Sequence, residues 1–260
     1  GVSIGLKATD EELHESVSGY LDDGYARVKI KIKPGRDIEM LAGLRERFPD
    51  VAFMADANSA YTLDDVDRLK ELDALDLMMI EQPFSYDDFL DHARLQEQLS
   101  TPVCLDESIK SEGDLALAFE LGSCQIVNIK PGRVGGFGVS RRLHDTARDR
   151  DMPVWCGGML ESGVGRAYNV ALASLPGFSL PGDISASQRY WEQDIVTPEF
   201  EVEDGVMRVP SGVGLGVEQF KQRLPAALHA GRGVFINVVP RKPAVIIVRR
   251  IDQQKIEPRQ

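Results

Sequence analysis

Three acidic residues recur at a constant interval in this sequence, each at the end of a short apolar run. Asp56, Glu81 and Asp106 are spaced 25 residues apart. Two lysines flank the series at nearly the same interval, Lys31 lying 25 residues before it and Lys130 lying 24 residues after it. Three carboxylates that face lysines are the groups expected around a hard divalent cation that works beside proton-transfer groups.

Each of these acids also has a purely structural interpretation, because acidic residues often follow strands as N-caps of helices. The constant spacing and the flanking lysines favour the metal site, since a chance match would have to hold at all five positions. Three monodentate carboxylates would leave about three positions of an octahedral Mg²⁺ open for substrate oxygens.

The lysines lie in the run RVKIKIKPG, where Lys29, Lys31 and Lys33 alternate with apolar residues. On a strand all three would point to the same face. Burying them inside a barrel would be costly unless negative charge lies nearby, and the carboxylates would supply it. Burial, the neighbouring lysine and a bound metal are expected to lower the pKa of a lysine here, which would provide a neutral amine as base. The alternative is a solvated edge strand whose lysines reach outward to water.

The elements that must position these residues alternate between strand-like and helix-like segments. The candidate strands are 2–6, 27–32, 51–56, 77–81, 102–105, 125–129 and 153–156, with a weaker eighth near 178–182. The candidate helices are 9–22, 37–47, 62–74, 86–98, 111–121, 138–150 and 161–174. This alternation predicts a parallel sheet, and about eight such units in roughly 200 residues predict an α/β fold of the (β/α) TIM-barrel type. Active sites of such barrels lie at the carboxyl ends of the strands.

Three parts of different character divide the chain. Residues 1–185 are predicted to form the barrel, and the Gly- and Pro-punctuated residues 186–218 a small C-terminal annex. Residues 219–260 form an atypical basic tail that we expect to be poorly ordered; residues 221–260 carry nine basic and two acidic residues.

Bulk composition excludes several classes of protein. The 260 residues are 43% hydrophobic and 27% charged, as in a soluble globular protein, and no apolar run is long enough to span a membrane. The net charge of −11 argues against a nucleic-acid partner. Cysteines in apolar runs indicate reduced core thiols and a cytoplasmic location; they are Cys104, Cys124 and Cys156. The histidines lack metal-ligand spacing and are interpreted as solvated or structural; they are His14, His92, His144 and His229.

Three further patterns carry weaker signals. The GVSIG of residues 1–5 matches a nucleophile elbow, but that motif needs a preceding strand. The Gly-rich residues 131–138 could cradle a phosphate, although they lack the Walker and Rossmann spacings. The CGGMLESGVGR of residues 156–166 allows either close approach of a ligand to the backbone or a tight turn.

The motifs together resemble one family. They are KIKIKPG, DANSAYTL, IEQPF, CLDESI, VNIKPGRVGG, WCGGMLESGVGRA and LPGDISAS, and they extend over residues 1–218. In combination they resemble the enolase superfamily, in the branch of o-succinylbenzoate synthases and N-acylamino acid racemases. Sites of that superfamily pair a lysine or histidine base with Mg²⁺.

The resemblance implies a role for each residue that matches a motif. It makes Asp56, Glu81 and Asp106 ligands of Mg²⁺ (or of Mn²⁺), and it makes Lys31 and Lys130 the acid/base lysines on opposite faces of the substrate. It implies substrate contacts for Lys29, Ser3, Gly158 and Met159, and it places Asn58 and Glu107 behind the metal ligands. Lys33 departs from the pattern, because an acidic residue is usual there.

The resemblance also implies a reaction. An o-succinylbenzoate synthase of menaquinone biosynthesis dehydrates 2-succinyl-6-hydroxy-2,4-cyclohexadiene-1-carboxylate after a lysine takes the proton α to the carboxylate, through a metal-stabilised enediolate. The alternatives are racemisation of N-acylamino acids and, in another class, a non-catalytic Mg²⁺-binding barrel fragment. Muconate lactonisation or sugar-acid dehydration is a weaker option. We expect a small-molecule carboxylate substrate and a homo-oligomer. The family's N-terminal α+β cap has no counterpart in this sequence, which suggests a truncated form.

Overall fold

The computed structural model describes residues 1–219 of the chain. The predicted basic tail of residues 219–260, with its predicted poor order, lies outside the described part except for Gln219, and His229 lies outside it as well. In the described part, no helix combines the length and the apolar character that crossing a membrane requires.

Seven parallel strands form one sheet, in the order in which they occur along the chain. They are β1 (Val2–Ile4), β2 (Arg27–Lys31), β3 (Ala52–Asp56), β4 (Ile80–Glu81), β5 (Val103–Leu105), β6 (Ile126–Ile129) and β7 (Val154–Cys156). Parallel neighbours require a crossover connection, and helices supply one between each pair. The seven main strands and the α/β architecture of the TIM-barrel type are therefore confirmed.

The helices surround this sheet. They are α1 (Asp10–Asp22), α2 (Ile38–Arg47), α3 (Val66–Lys70), α4 (Phe89–Gln96), α5 (Glu112–Leu121), α6 (Pro131–Val134), α7 (Phe137–Arg148) and α8 (Gly163–Ala173). Short polar side chains fix several of their starts: the Thr9 hydroxyl accepts from the N–H of Glu12, and the Ser111 hydroxyl from that of Asp114. The predicted helix 62–74 is divided, since α3 lies between two short 3₁₀ helices, Leu63–Asp65 and Glu71–Leu75.

The expected eighth strand near 178–182 does not form. Residues 178–182 form no strand, and the sheet ends at β7. Pro181 has no N–H to donate to a sheet ladder. One main-chain hydrogen bond, from the N–H of Asp183 to the carbonyl of Cys156 (2.9 Å), ties this segment to β7. On its other side, the Ser3 hydroxyl of β1 donates to Asp183 Oδ2, and Arg27 Nη2 of β2 donates to the carbonyl of Pro181 at 2.9 Å. The segment thus bridges the two ends of the sheet, which curls as a barrel does.

The interior of the curled sheet has an apolar layer and a charged layer. The apolar layer is a buried cluster of Met54, Met79, Cys104, Ile126 and Trp155. Side chains two residues apart on a strand point to the same face. Two residues beyond Met54, Met79, Cys104 and Ile126 stand Asp56, Glu81, Asp106 and Asn128. The apolar layer therefore supports the polar groups from below, at the carboxyl ends of the strands.

Residues 186–219 contain a short 3₁₀ helix, Ser187–Arg189, and an antiparallel pair, β8 (Val196–Thr197) with β9 (Glu218–Gln219). Val196 and Phe200 form a buried cluster with Ala167 and Val170 of α8. The segment thus packs on the last helix of the barrel, while the division of the chain at residue 185 stays a prediction.

Candidate active site

The three predicted carboxylates lie side by side at the carboxyl ends of neighbouring strands. Lys31 pairs in register with Asp56, and Asp56 with Glu81, while Asp106 directly follows β5. All three acids are buried, with 3%, 0% and 1% of their surface exposed. Burial raises the pKa of Glu81 to about 7, and repulsion from Asp56 and Asp106 adds to this rise. The nearby lysines lower the pKa of Glu81, but their effect is smaller. The structure therefore brings the three carboxylates into one buried site.

Lys29 lies among these carboxylates as their main counter-charge. Its Nζ is 2.8 Å from Glu81 Oε2, 3.0 Å from Asp56 Oδ2 and 3.7 Å from Asp183 Oδ2. Burial alone would lower the pKa of Lys29, but the carboxylates of Glu81, Asp56 and Asp183 together raise it well above its ordinary value. The pKa of Lys29 thus shifts upward, because three negative groups outweigh its desolvation.

Asp106 and Glu81 have further partners. Lys130 Nζ lies 2.8 Å from Asp106 Oδ2, and the Arg133 guanidinium donates to Asp106 Oδ1. Asn128 Nδ2 donates to Glu81 Oε1 at 2.7 Å. Each carboxylate is thus oriented by at least one donor from a neighbouring strand or turn.

Lys31 has a different environment from Lys29. It is half-buried, and its Nζ donates to Asn58 Oδ1 at 2.6 Å. In residues 1–219 it forms no salt bridge with a carboxylate. Asn58 adopts the left-handed region (φ +43°), and its N–H donates to Asp56 Oδ1 at 3.2 Å. Its Nδ2 donates to Glu107 Oε1 at 3.1 Å. Asn58 and Glu107 therefore lie next to the carboxylates. Lys31 donates to the neutral amide oxygen of Asn58, and Glu107 in turn accepts from Asn58.

The donor set suits a hard divalent cation, although its arrangement is that of ion pairs. Within residues 1–219, no three His, Cys, Asp or Glu side chains form a ready metal-binding group. In the same site, Lys29, Lys130 and Arg133 are paired with oxygens of the acids. The acids themselves offer only carboxylate oxygens, from three adjacent strand ends, and such oxygens are the ligands that Mg²⁺ takes. Asp56 and Asp106 also raise the pKa of Glu81, a repulsion that a cation would relieve.

The residues predicted to contact substrate are only partly brought together. The Ser3 hydroxyl donates to Asp183 Oδ2. A Cβ on Gly158 would lie 2.0 Å from the Asp183 carbonyl oxygen, so only glycine fits there. Met159 is 56% exposed. Lys33 does not share the face of Lys29, because β2 ends at Lys31 and Lys33 lies exposed in the following turn.

Three residues of the site escaped sequence reasoning. Asn128 could have been found, since it lies two residues before Lys130 on the same strand face. Arg133 follows in the turn after β6, where no periodicity applies. Asp183 lies in the LPGDISAS motif, which suggested the family but assigned this residue no role.

The histidines and cysteines in the described part have structural surroundings. The buried His92 ring accepts from the N–H of Phe84 at 3.1 Å, and the His144 ring stacks on Phe178. All three cysteines are free and buried, as predicted.

Comparisons with known proteins indicate one family. Residues 12–222 match the family model described as enolase C-terminal domain-like. An o-succinylbenzoate synthase from Geobacillus kaustophilus is 56% identical over 218 residues, 84% of this chain and 58% of the relative. An N-succinylamino acid racemase from Thermus thermophilus is 53% identical over 217 residues, 84% of this chain and 59% of the relative. A crystal structure of an enolase superfamily member from Listeria innocua superposes with a TM-score of 0.81 at 51% identity, covering 84% of this chain and 59% of that one. The chain thus spans less than two thirds of the length of these relatives.

Proposed function

The chain belongs to the enolase C-terminal domain-like family, and we propose that it carries the chemistry of an o-succinylbenzoate synthase. The reaction is the dehydration of 2-succinyl-6-hydroxy-2,4-cyclohexadiene-1-carboxylate to an aromatic product. One observation carries the proposal: Lys31, Asp56 and Glu81 stand in register on neighbouring strands, and Lys130 closes the row against Asp106. A lysine at each end of a carboxylate row suits proton abstraction next to a carboxylate.

Asp56, Glu81 and Asp106 would hold the divalent cation, Mg²⁺ in this proposal, with Mn²⁺ as the alternative. When bound, such a cation supplies positive charge that stabilises the negative charge developing on the substrate carboxylate. The buried charge of Lys29 would remain beside it and would contribute to binding the anionic substrate.

Lys31 is the base in this proposal because of its partners. A base must reach its neutral form, and carboxylates that hold an ammonium oppose that. Lys29 has three such carboxylates, whereas Lys31 donates to the neutral amide oxygen of Asn58. Lys31 would take the proton α to the carboxylate. The departing hydroxyl group then needs one proton to leave as water, and Lys31 holds that proton after the first step.

Lys130 acts in this proposal as a fixed positive charge. It is 8% exposed and ion-paired with Asp106 at 2.8 Å. From the end of the row opposite Lys31, it would stabilise the enediolate by charge.

Racemisation of N-succinylamino acids is the second candidate, because a racemase is 53% identical to this chain. Both reactions share abstraction of the α-proton. In the racemase, Lys130 would also exchange a proton, from the face opposite Lys31.

The test follows ultraviolet absorbance during dehydration of the cyclohexadiene substrate by the 260-residue chain with Mg²⁺. Lys31→Ala and a chelated sample are the controls, and chiral analysis of N-succinylamino acids runs in parallel. We expect turnover that depends on metal and on Lys31. Full activity of Lys31→Ala would refute the assignment. A folded chain that binds Mg²⁺ but turns over neither substrate, even when joined to the N-terminal part of a relative, would favour the non-catalytic alternative.

Three further expectations stay predictions: the small-molecule carboxylate as the only kind of partner besides further copies of the chain, a homo-oligomeric state and a cytoplasmic location.

A further inference from the structure

Asp183 joins parts of the molecule that are far apart in sequence. Its main-chain N–H donates to the carbonyl of Cys156 at the end of β7. Its carboxylate accepts from the Ser3 hydroxyl of β1 and lies 3.7 Å from Lys29 Nζ of β2. The backbone contact closes the sheet, whereas the two side-chain contacts are made with predicted substrate-binding residues. The two roles of Asp183 are therefore separable by substitution of its side chain.

The charge around Lys29 gives the carboxylate of Asp183 a specific task. Lys29 is 4% exposed and has three carboxylates near its ammonium. Two of them, Asp56 and Glu81, are the proposed cation ligands. A cation would bind the carboxylate oxygens of Asp56 and Glu81 that contact Lys29. Asp183 would then be the remaining carboxylate that compensates the charge of the Lys29 ammonium. The attraction is mutual, since Lys29, Arg27 and Ser3 hold the pKa of Asp183 at about 2 although burial alone would raise it.

We propose that Asp183 is a positioning residue that holds the Lys29 ammonium and the Ser3 hydroxyl, so that Asp56 and Glu81 can turn to a divalent cation. This inference rests on the proposed function, because it assumes that these two acids are cation ligands. It assigns Asp183 no contact with reacting atoms. Its effect passes through Lys29.

The first experiment measures Mg²⁺ affinity of the 260-residue chain by isothermal titration calorimetry. Asp183→Asn keeps the shape of the side chain and the backbone bond to β7 but removes the charge. Lys29 then competes more strongly for Asp56 and Glu81, and we expect Mg²⁺ affinity to fall about tenfold, as for loss of a buried unit charge near the site. Asp183→Glu, which restores the charge, should recover part of that loss.

Asp194→Asn is the matched control. Asp194 is also a buried acid, paired with Arg166 at 3.5 Å and accepting from Ser187 Oγ at 2.7 Å. This variant should lose stability but keep wild-type Mg²⁺ affinity. Equal affinities for wild type and Asp183→Asn would overturn the inference, and so would an equal loss in Asp194→Asn, which would indicate a general structural effect.

A second experiment needs no metal. Mass spectrometry after brief treatment with an amine-acylating reagent compares the labelling of Lys29 with that of the exposed Lys33. We expect faster labelling of Lys29 in Asp183→Asn and no change in Asp194→Asn. Unchanged labelling in Asp183→Asn would contradict the role of Asp183. If the wild-type chain bound no Mg²⁺, the proposed function would fail, and this labelling would still decide whether Asp183 holds Lys29.

Discussion

Two lysines of β2 should have different effects when they are removed, one on stability and the other on turnover. Lys29 is buried among three carboxylates, and Lys31 is half-buried against an amide oxygen. We predict that Lys29→Ala strongly destabilises the fold, whereas Lys31→Ala mainly abolishes turnover. The pair is well matched, because both changes remove the same side chain from β2.

The magnitudes follow from burial. Lys29→Ala leaves Asp56 and Glu81, which are 3% and 0% exposed, without their main counter-charge. Removing one partner of a buried ion pair costs about 3–5 kcal/mol, a large share of a typical domain's stability. Lys31→Ala loses one hydrogen bond at a partly solvated position, which is worth about 1 kcal/mol or less. Loss of a general base should lower kcat by about 10²–10⁴-fold.

The assay is urea denaturation of the metal-free chain, followed by circular dichroism and tryptophan fluorescence. Trp155 is a local reporter, because Lys29 Nζ lies 5.3 Å from its ring centroid. The pH dependence of unfolding provides a second check, because the pKa of Lys29 in the folded chain is raised well above its ordinary value. The contribution of Lys29 to stability is therefore fully present below the ordinary lysine pKa, and it is lost only as pH rises through the higher pKa of the folded chain. Equal destabilisation by the two substitutions, or a larger effect for Lys31→Ala, would refute the reasoning.

Three other predictions concern stability. Burial lowers the pKa of His92, so the stability contributed by neutral His92 is present above about pH 6.5 and is lost as pH falls toward the lowered pKa of the folded chain. The free energy of unfolding should therefore depend less on pH in His92→Gln. An unchanged pH dependence would contradict this prediction. Asp37 is buried and accepts from Tyr61 Oη and Arg68 Nε at 2.8 and 2.7 Å. Asp37→Ala should lower the free energy of unfolding by about 2–3 kcal/mol in denaturant unfolding. This is less than for a fully buried ion pair, because Arg68 is partly exposed. A loss under about 1 kcal/mol, as for a surface ion pair, would contradict the prediction. Mg²⁺ at a hundred times its Kd should stabilise the chain by about 2.7 kcal/mol, seen as a higher Tm, and replacing any of the three carboxylates by its amide should remove this rise.

Much of the site could be predicted because the fold repeats. One strand, loop and helix take about 25 residues here, so in-phase residues reach equivalent positions, and Lys31, Asp56 and Glu81 are indeed in register. The two-residue periodicity of a strand likewise places Asp106 two positions beyond the buried Cys104. Local repetition therefore determines both the row and the face on which it lies.

The remaining features depend on contacts that no local pattern encodes. The eighth strand fails to form, and Asp183 reaches Ser3 across 180 positions of sequence. The raised pKa of Lys29 depends on how many carboxylates surround it, which only the assembled site determines. Arg133 reaches Asp106 from a turn, where side-chain direction follows no period.

The central claim is that Lys31 removes the proton next to the substrate carboxylate, while Lys130 acts from the other end of the carboxylate row as a fixed positive charge. The most direct measurement is the rate of dehydration of the cyclohexadiene substrate, followed by ultraviolet absorbance with Mg²⁺, in wild type, Lys31→Ala, Lys130→Ala and Lys130→Arg. We predict that Lys31→Ala loses turnover, and that Lys130→Arg, which keeps the positive charge, retains more turnover than Lys130→Ala. Full turnover by Lys31→Ala, or equal losses in Lys130→Arg and Lys130→Ala, would contradict the claim.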